Sequence, residues 1–402
     1  MHSSSTLAVN RFINATRINI ANRVKPEIYQ GVLSHLSALA SRLDLPTEFK
    51  IVYSTSRRVE LVTLSGVSWV IYDQYMGQTM NLLNRIFIEA EDKQHSIVYF
   101  HKVLAERLLE VGRLEEALHC ATIYHNHRED LNLKRLDEEW RFLLIEVHEA
   151  FLLHHEFGHA VFAKETLFPI MREHASQIIE DLIKSKRRSI EKIIEDARNA
   201  PPAAIHHQNI DDFILSIQKL DRGYNSIIGA QIAYLNASQT LEEVFCDIFA
   251  ADLVLNIEMQ KGRDIVKTLR AIYIGFYHMQ AIEYLRRFPN LSNKDPDWGI
   301  DTIPQVQLVF LYQAHLHNDP RSISIDIQGE VLKLQTLLMD DQKRHYEIIY
   351  DSAMALCDNL RKNNWIIKLG RKAIKKLYRK NGIKKVLPRQ LTVRLYTPSF
   401  YL

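Results

Sequence analysis

The chain has only three cysteines in 402 residues, Cys120, Cys246 and Cys357. They are odd in number and far apart, which excludes a disulfide framework and a thiolate-held zinc cluster. Any metal must then be held by histidines and carboxylates. No run of about 18 uncharged apolar residues occurs, so no membrane span is expected. The first twenty residues lack the continuous apolar core and small-residue cleavage site of a secretory leader, and the expected location is cytoplasmic. Glycine and proline are scarce, 13 and 11 in all, so little interrupts helix formation over long stretches. One stretch has no acidic residue: 361–394 carries thirteen Lys or Arg, which leaves the remainder about ten charges acidic beneath a net charge of +3. With 47% hydrophobic and 25% charged residues, the chain can bury a sizeable core as one large domain or two to three smaller ones.

Two segments, "FKIVYS" and "RVELVTLSGVSWVIYD", are rich in β-branched and aromatic residues, and Ser65 and Gly66 supply a turn between the strands of the second. A small sheet is expected near the N-terminus. From Gln78 onward apolar residues recur at three- and four-residue spacing, the signature of helices. "AERLLEVGRLEEALHCATIY" reads as one helical hairpin of the tetratricopeptide sort, with no second copy at a fixed period. A helix is expected from about Asp137 to Lys164, capped by Asp137. A charged amphipathic helix follows and stops at Pro201 and Pro202. "FPNLSNKDPDWGIDTIP" is the most loop-like stretch and the expected boundary before a helical C-terminal region.

Inside the Asp137 helix lies "FLLHHEFGHAVFA", an H-E-x-x-H motif made by His155, Glu156 and His159. Residues i and i+4 share a helix face, so both imidazoles can reach one tetrahedral ion. Glu156 is beside the ion rather than on it, placed to take a proton from water activated there. Gly158 gives up helix propensity, and its small size suits a close approach by another backbone or a substrate. His154 points elsewhere on the helix, and His148 is about 10 Å along the axis from His155, so both are assigned to packing. A later helix, "TLEEVFCDIFAADLVL", offers Glu243 and Asp247 at i and i+4 and supplies a third ligand. Thr240 and Glu243 also fit a capping box, in which case Glu242 competes as the ligand.

These two motifs resemble the zinc metallopeptidases called gluzincins, in which an H-E-x-x-H helix gives two ligands and a later helix gives a Glu. The resemblance implies an α+β, predominantly helical fold with a small N-terminal sheet packed on the active-site helices. On it, 1–90 contributes the sheet, 91–290 is the helical catalytic core, 291–360 is a helical C-terminal region and 361–402 is a basic tail. It further implies Zn2+ held by His155, His159 and Glu243, Asp247 fixing the tautomer of a ligand histidine, and Glu156 as general base. A protein or peptide substrate would lie along a sheet edge near "GVSWVIYD". Candidates for the oxyanion donor are Tyr277, His278, His317 and Arg321. Related peptidases carry a His or Arg and then a Pro-containing segment after the Glu helix, which favours His317. A weaker resemblance, to phage-exclusion-type intracellular peptidases, implies a tightly controlled enzyme acting in antiviral defence, and gating is expected because a peptidase always active inside a cell would be hazardous.

A reading of another class rests on the tail. Residues 361–394 combine cations with Trp365, Tyr378 and apolar positions at helical spacing, a pattern that suits nucleic acid phosphates, an anionic membrane or an acidic partner. The protein would then be a helical interaction protein with a non-catalytic H-E-x-x-H. No nucleic-acid-binding signature accompanies the basic stretch.

Overall fold

The β-prone segments pair around a two-residue turn. Ser65 and Gly66 take φ of 52° and 78°, the pair of left-handed residues that a tight hairpin needs to follow the twist of its strands. β1 (Thr47–Val52), β2 (Val59–Leu64) and β3 (Val67–Asp73) form a sheet in the order β1-β3-β2, with β1 parallel and β2 antiparallel to β3. "GVSWVIYD" is therefore the central strand, with partners on both sides. The sheet edge expected near it is therefore not this strand itself, since among the described residues the edges are β1 and β2.

The computed structural model describes residues 2–21, 24–131, 133, 137–199, 238–288, 302–318 and 326–362. Alternate sheet residues sort to two faces. Val62, Trp69 and Ile71 meet Val9, Phe12 and Ile13 of α1 (His2–Thr16), while Leu61, Val70 and Tyr72 join the main core. A second helix, α2 (Gln30–Arg42), also precedes the sheet. Asp73 ends β3 and caps α3 (Gln74–Glu89), its side chain accepting from Tyr75 N at 3.1 Å.

The expected helical hairpin is α4 (Gln94–Glu110) and α5 (Leu114–His127), turned by Gly112 at φ 76°. The motif helix, α6 (Glu138–Phe162), starts where its sequence places it, with the Asp137 side chain accepting from Trp140 N at 2.9 Å. Beyond it come α7 (Pro169–Asn199), α8 (Ser238–Gln260), α9 (Ile265–Arg287) and α10 (Thr302–Asn318). α11 (Ile327–His345) passes through a π-helical turn, Tyr346–Tyr350, into α12 (Asp351–Lys362). The architecture is α+β and predominantly helical. One buried apolar cluster draws on the sheet and on helices from α2 to α12. The expected boundary stretch falls mostly on 289–301 and the basic tail on 363–402, outside the described residues. Among the described residues no helix is long and apolar enough to cross a membrane.

Candidate metal centre

α6 and α8 form the most extensive helix pair among the described elements, and Gly158 sets how close they come. A Cβ on Gly158 would be 3.2 Å from the Cα, Cβ and Sγ of Cys246, tighter than ordinary van der Waals contact. The space Gly158 leaves is thus used by the α8 backbone. Cys246 stands between Glu243 and Asp247 in sequence, so this approach lays the carboxylates of α8 beside the histidines of α6.

Two histidines and one carboxylate converge there. Ligand atoms of His155, His159 and Glu243 all lie within 4.8 Å of one another, the one such group of three or more among the described residues. His155 Nε2 is 3.3 Å from Glu243 Oε2. Ligands about 2.0–2.1 Å from a shared tetrahedral ion stand about 3.3 Å apart, so this spacing fits a zinc-sized cation. Each of the other ring nitrogens has a carboxylate of α8 close by. His155 Nδ1 is 2.9 Å from Asp247 Oδ1, and His159 Nδ1 pairs with Glu242 Oε1 at 2.8 Å. A carboxylate on the far nitrogen fixes ring orientation and tautomer and raises the basicity of the nitrogen left for a metal. The residues present therefore fit a metal held by two histidines and a glutamate.

These contacts give Glu242 and Glu243 different partners. α8 begins at Ser238, so Thr240 lies inside its first turn rather than capping it. Glu243 faces His155, and Glu242 has a separate task on His159. That second orienting carboxylate was missed by sequence reasoning; the Glu-Glu pair one turn before Asp247 was its available signal.

Burial and charge oppose each other at His155, Glu156, Glu243 and Asp247. Burial disfavours a charge on His155, but Asp247 and Glu243 prevail and hold its pKa well above the ordinary value. Burial likewise works against ionised Glu243, yet the hydrogen bond and charge of His155 leave its carboxyl below the usual range. For Asp247 burial wins over His155, and the carboxyl is pushed up. Glu156 is pushed up by burial as well, opposed by His155 and His159. Its Oε2 accepts a hydrogen bond from Leu61 N of β2 at 2.9 Å.

The other sequence candidates lie elsewhere. His154 is fully buried, with Nδ1 2.7 Å from Ala150 O and Nε2 3.3 Å from His35 Nδ1. His148 packs in the core against Gly275, and its Nε2 is 2.8 Å from Ala271 O. His278 uses both nitrogens, on His345 Nε2 and Asn84 Oδ1, each at 2.9 Å. The Tyr277 hydroxyl meets that of Tyr273 at 2.8 Å. Both nitrogens of His278 are thus directed to groups other than the α6–α8 carboxylates. His317 falls on α10, but its side chain is outside the described residues, as is Arg321 altogether. α10 does reach the site through Gln307, a buried side chain beside Asp247 that also donates from Nε2 to Val244 O at 3.4 Å.

Comparison of the chain with protein-family models, with curated proteins and with solved structures gives no match.

Proposed function

We propose that the chain is a zinc-dependent metallopeptidase acting on a protein or peptide substrate. One observation carries the reading: His155, His159 and Glu243 converge at metal spacing while Asp247 and Glu242 occupy the outer nitrogens of the two histidines. Three protein ligands leave a coordination position for water or substrate, unlike a closed four-ligand structural site. When bound, the cation supplies a Lewis acid that polarises a carbonyl and acidifies water.

The remaining work falls to this chain's own groups. Glu156 takes the proton of the attacking water on its carboxylate and delivers it to the leaving amine. Burial supports that duty, since it raises a carboxyl towards the operating pH. Asp247 and Glu242 keep the two imidazoles turned with Nε2 inward. An extended substrate strand, which the gluzincin resemblance implies, is assigned to the edge of β2, the strand hydrogen-bonded to Glu156.

Elemental analysis of the wild type, Glu156→Gln and Glu243→Ala tests the reading. About one zinc in the first two and much less in Glu243→Ala is expected, with peptide cleavage lost in Glu156→Gln. No metal in any of the three after zinc is supplied would overturn it.

A further inference from the structure

The hydrogen bond between Leu61 and Glu156 involves a backbone group that a sheet edge normally offers to another chain. In the β2–β3 hairpin, Leu64 and Val67 flank a two-residue turn and form its closing hydrogen-bonded pair. Hydrogen-bonded and non-bonded pairs then alternate. Leu61, opposite Val70, is a non-bonded pair, so its N–H and C=O point away from β3. Among the described residues no strand pairs with that edge. The outward N–H of Leu61 is taken by Glu156 Oε2 instead.

We propose that Leu61 N–H is a latch with two alternative acceptors, the carboxylate of Glu156 at rest and a main-chain carbonyl of an extended peptide when one adds to the edge of β2. The argument rests on the peptidase reading for the duty of Glu156, while the competition itself follows from the register. One N–H cannot give a full bond to both acceptors, and a strand pairing opposite Leu61 must take this donor to complete its ladder. Docking of the peptide therefore releases Glu156 Oε2, and withdrawal of the peptide restores the latch. The base is held by the sheet until a backbone of the right form arrives. A small amide without an extended flanking chain leaves the latch closed.

The probe is a fluorescent pool of random octapeptides blocked at both ends, with affinity read by anisotropy in the metal-loaded and the metal-stripped full chain. Glu156→Ala opens the latch and is expected to bind the pool about 5- to 10-fold more tightly than wild type, the worth of one hydrogen bond. Glu156→Gln loses the charge but keeps an acceptor, so it is expected to stay near wild type. Replacing the Leu61 amide by an ester removes the donor, and the gain from Glu156→Ala is expected to vanish in that background. Leu61→Pro removes the same N–H without touching the β3 ladder and serves if the ester variant does not fold. Hydrogen exchange gives a readout without any peptide: Leu61 N–H is expected to be protected in wild type and at least tenfold less so in Glu156→Ala. Equal exchange in those two proteins, equal pool binding by them, or no pool binding by either would overturn the latch. Zinc binding with intact cleavage and no latch would sink this inference alone. A latch in a protein that binds no zinc would sink the peptidase reading alone.

Discussion

Helix α6 carries four histidines within twelve residues, and they divide into two pairs with opposite electrostatics. His148 and His154 lie against backbone carbonyls, those of Ala271 and Ala150, and burial pushes each pKa down to about 4. His155 and His159 are half-buried and meet carboxylates from α8, and His155 is held well above the ordinary value. The two pairs differ in depth as well as in partner, yet burial alone would lower the pKa of His155, so its carboxylate partners set the direction. A carbonyl partner leaves a buried ring neutral, whereas a carboxylate partner makes its far nitrogen a strong donor to a cation. α6 thus packs through His148 and His154 and turns His155 and His159 to the carboxylates of α8, and α8 makes the difference.

The largest way to break this contrast is to exchange which pair loses a ring. His155→Ala should reduce bound zinc from about one per chain to near zero. His154→Phe should leave zinc near one, and elemental analysis after dialysis reads both. Equal zinc in the two variants would mean that the carboxylate partners do not define the ligands.

A smaller effect is expected when the rings stay and their partners are weakened. Asp247→Asn and Glu242→Gln keep size but lose charge, and each should weaken metal affinity about 10- to 100-fold. Titration with a competing chelator measures this. If only Asp247→Asn has an effect, Glu242 is a surface contact and the symmetry between His155 and His159 fails.

Smaller again is the effect of pushing the two helices apart. Gly158→Leu places a branched side chain where even a Cβ is tight against Cys246, and overpacking of this kind costs about 1–3 kcal/mol. The chemical-denaturation midpoint should fall, and metal affinity should fall with it because α8 carries Glu243. Gly112→Leu on the open α4–α5 turn is the control: it is strained by positive φ but has open space around it, and should leave affinity unchanged.

The sequence showed α6 clearly because local chemistry determines it: Asp137 caps it, apolar spacing shapes it, and the H-E-x-x-H pattern lies on one face. The hairpin turn at Ser65 and Gly66 was legible for the same reason, since turn residues act over two positions. Strand order was not, because β1 reaches β3 across the sheet and nothing in "FKIVYS" says which strand it pairs with. α1 was missed because "HSSST" is polar and its apolar side is only Val9, Phe12 and Ile13, legible once the sheet they cover is known. Glu242 was read only as a rival ligand, since its role depends on where α8 crosses α6.

The contrast between the pairs also predicts opposite responses to pH in chelated, metal-free protein. For His154 the folded pKa of about 4 is below the unfolded value of about 6.5, so the unfolded chain binds more protons between them. Its contribution to stability is whole above pH 6.5 and is lost as pH falls towards 4, with a slope of about 1.4 kcal/mol per pH unit. For His155 the folded pKa is raised, so its contribution is whole below pH 6.5 and is lost as pH rises through the folded value. Urea midpoints should therefore decline less steeply from pH 7 to pH 4 in His154→Phe than in wild type, whereas His155→Phe should differ from wild type above pH 6.5, where its midpoints should decline less steeply as pH rises. Parallel shifts in the two variants would show that the α8 carboxylates do not govern the charge of His155 in the folded protein, and the division of α6 into a neutral and an ionisable pair would fall with them.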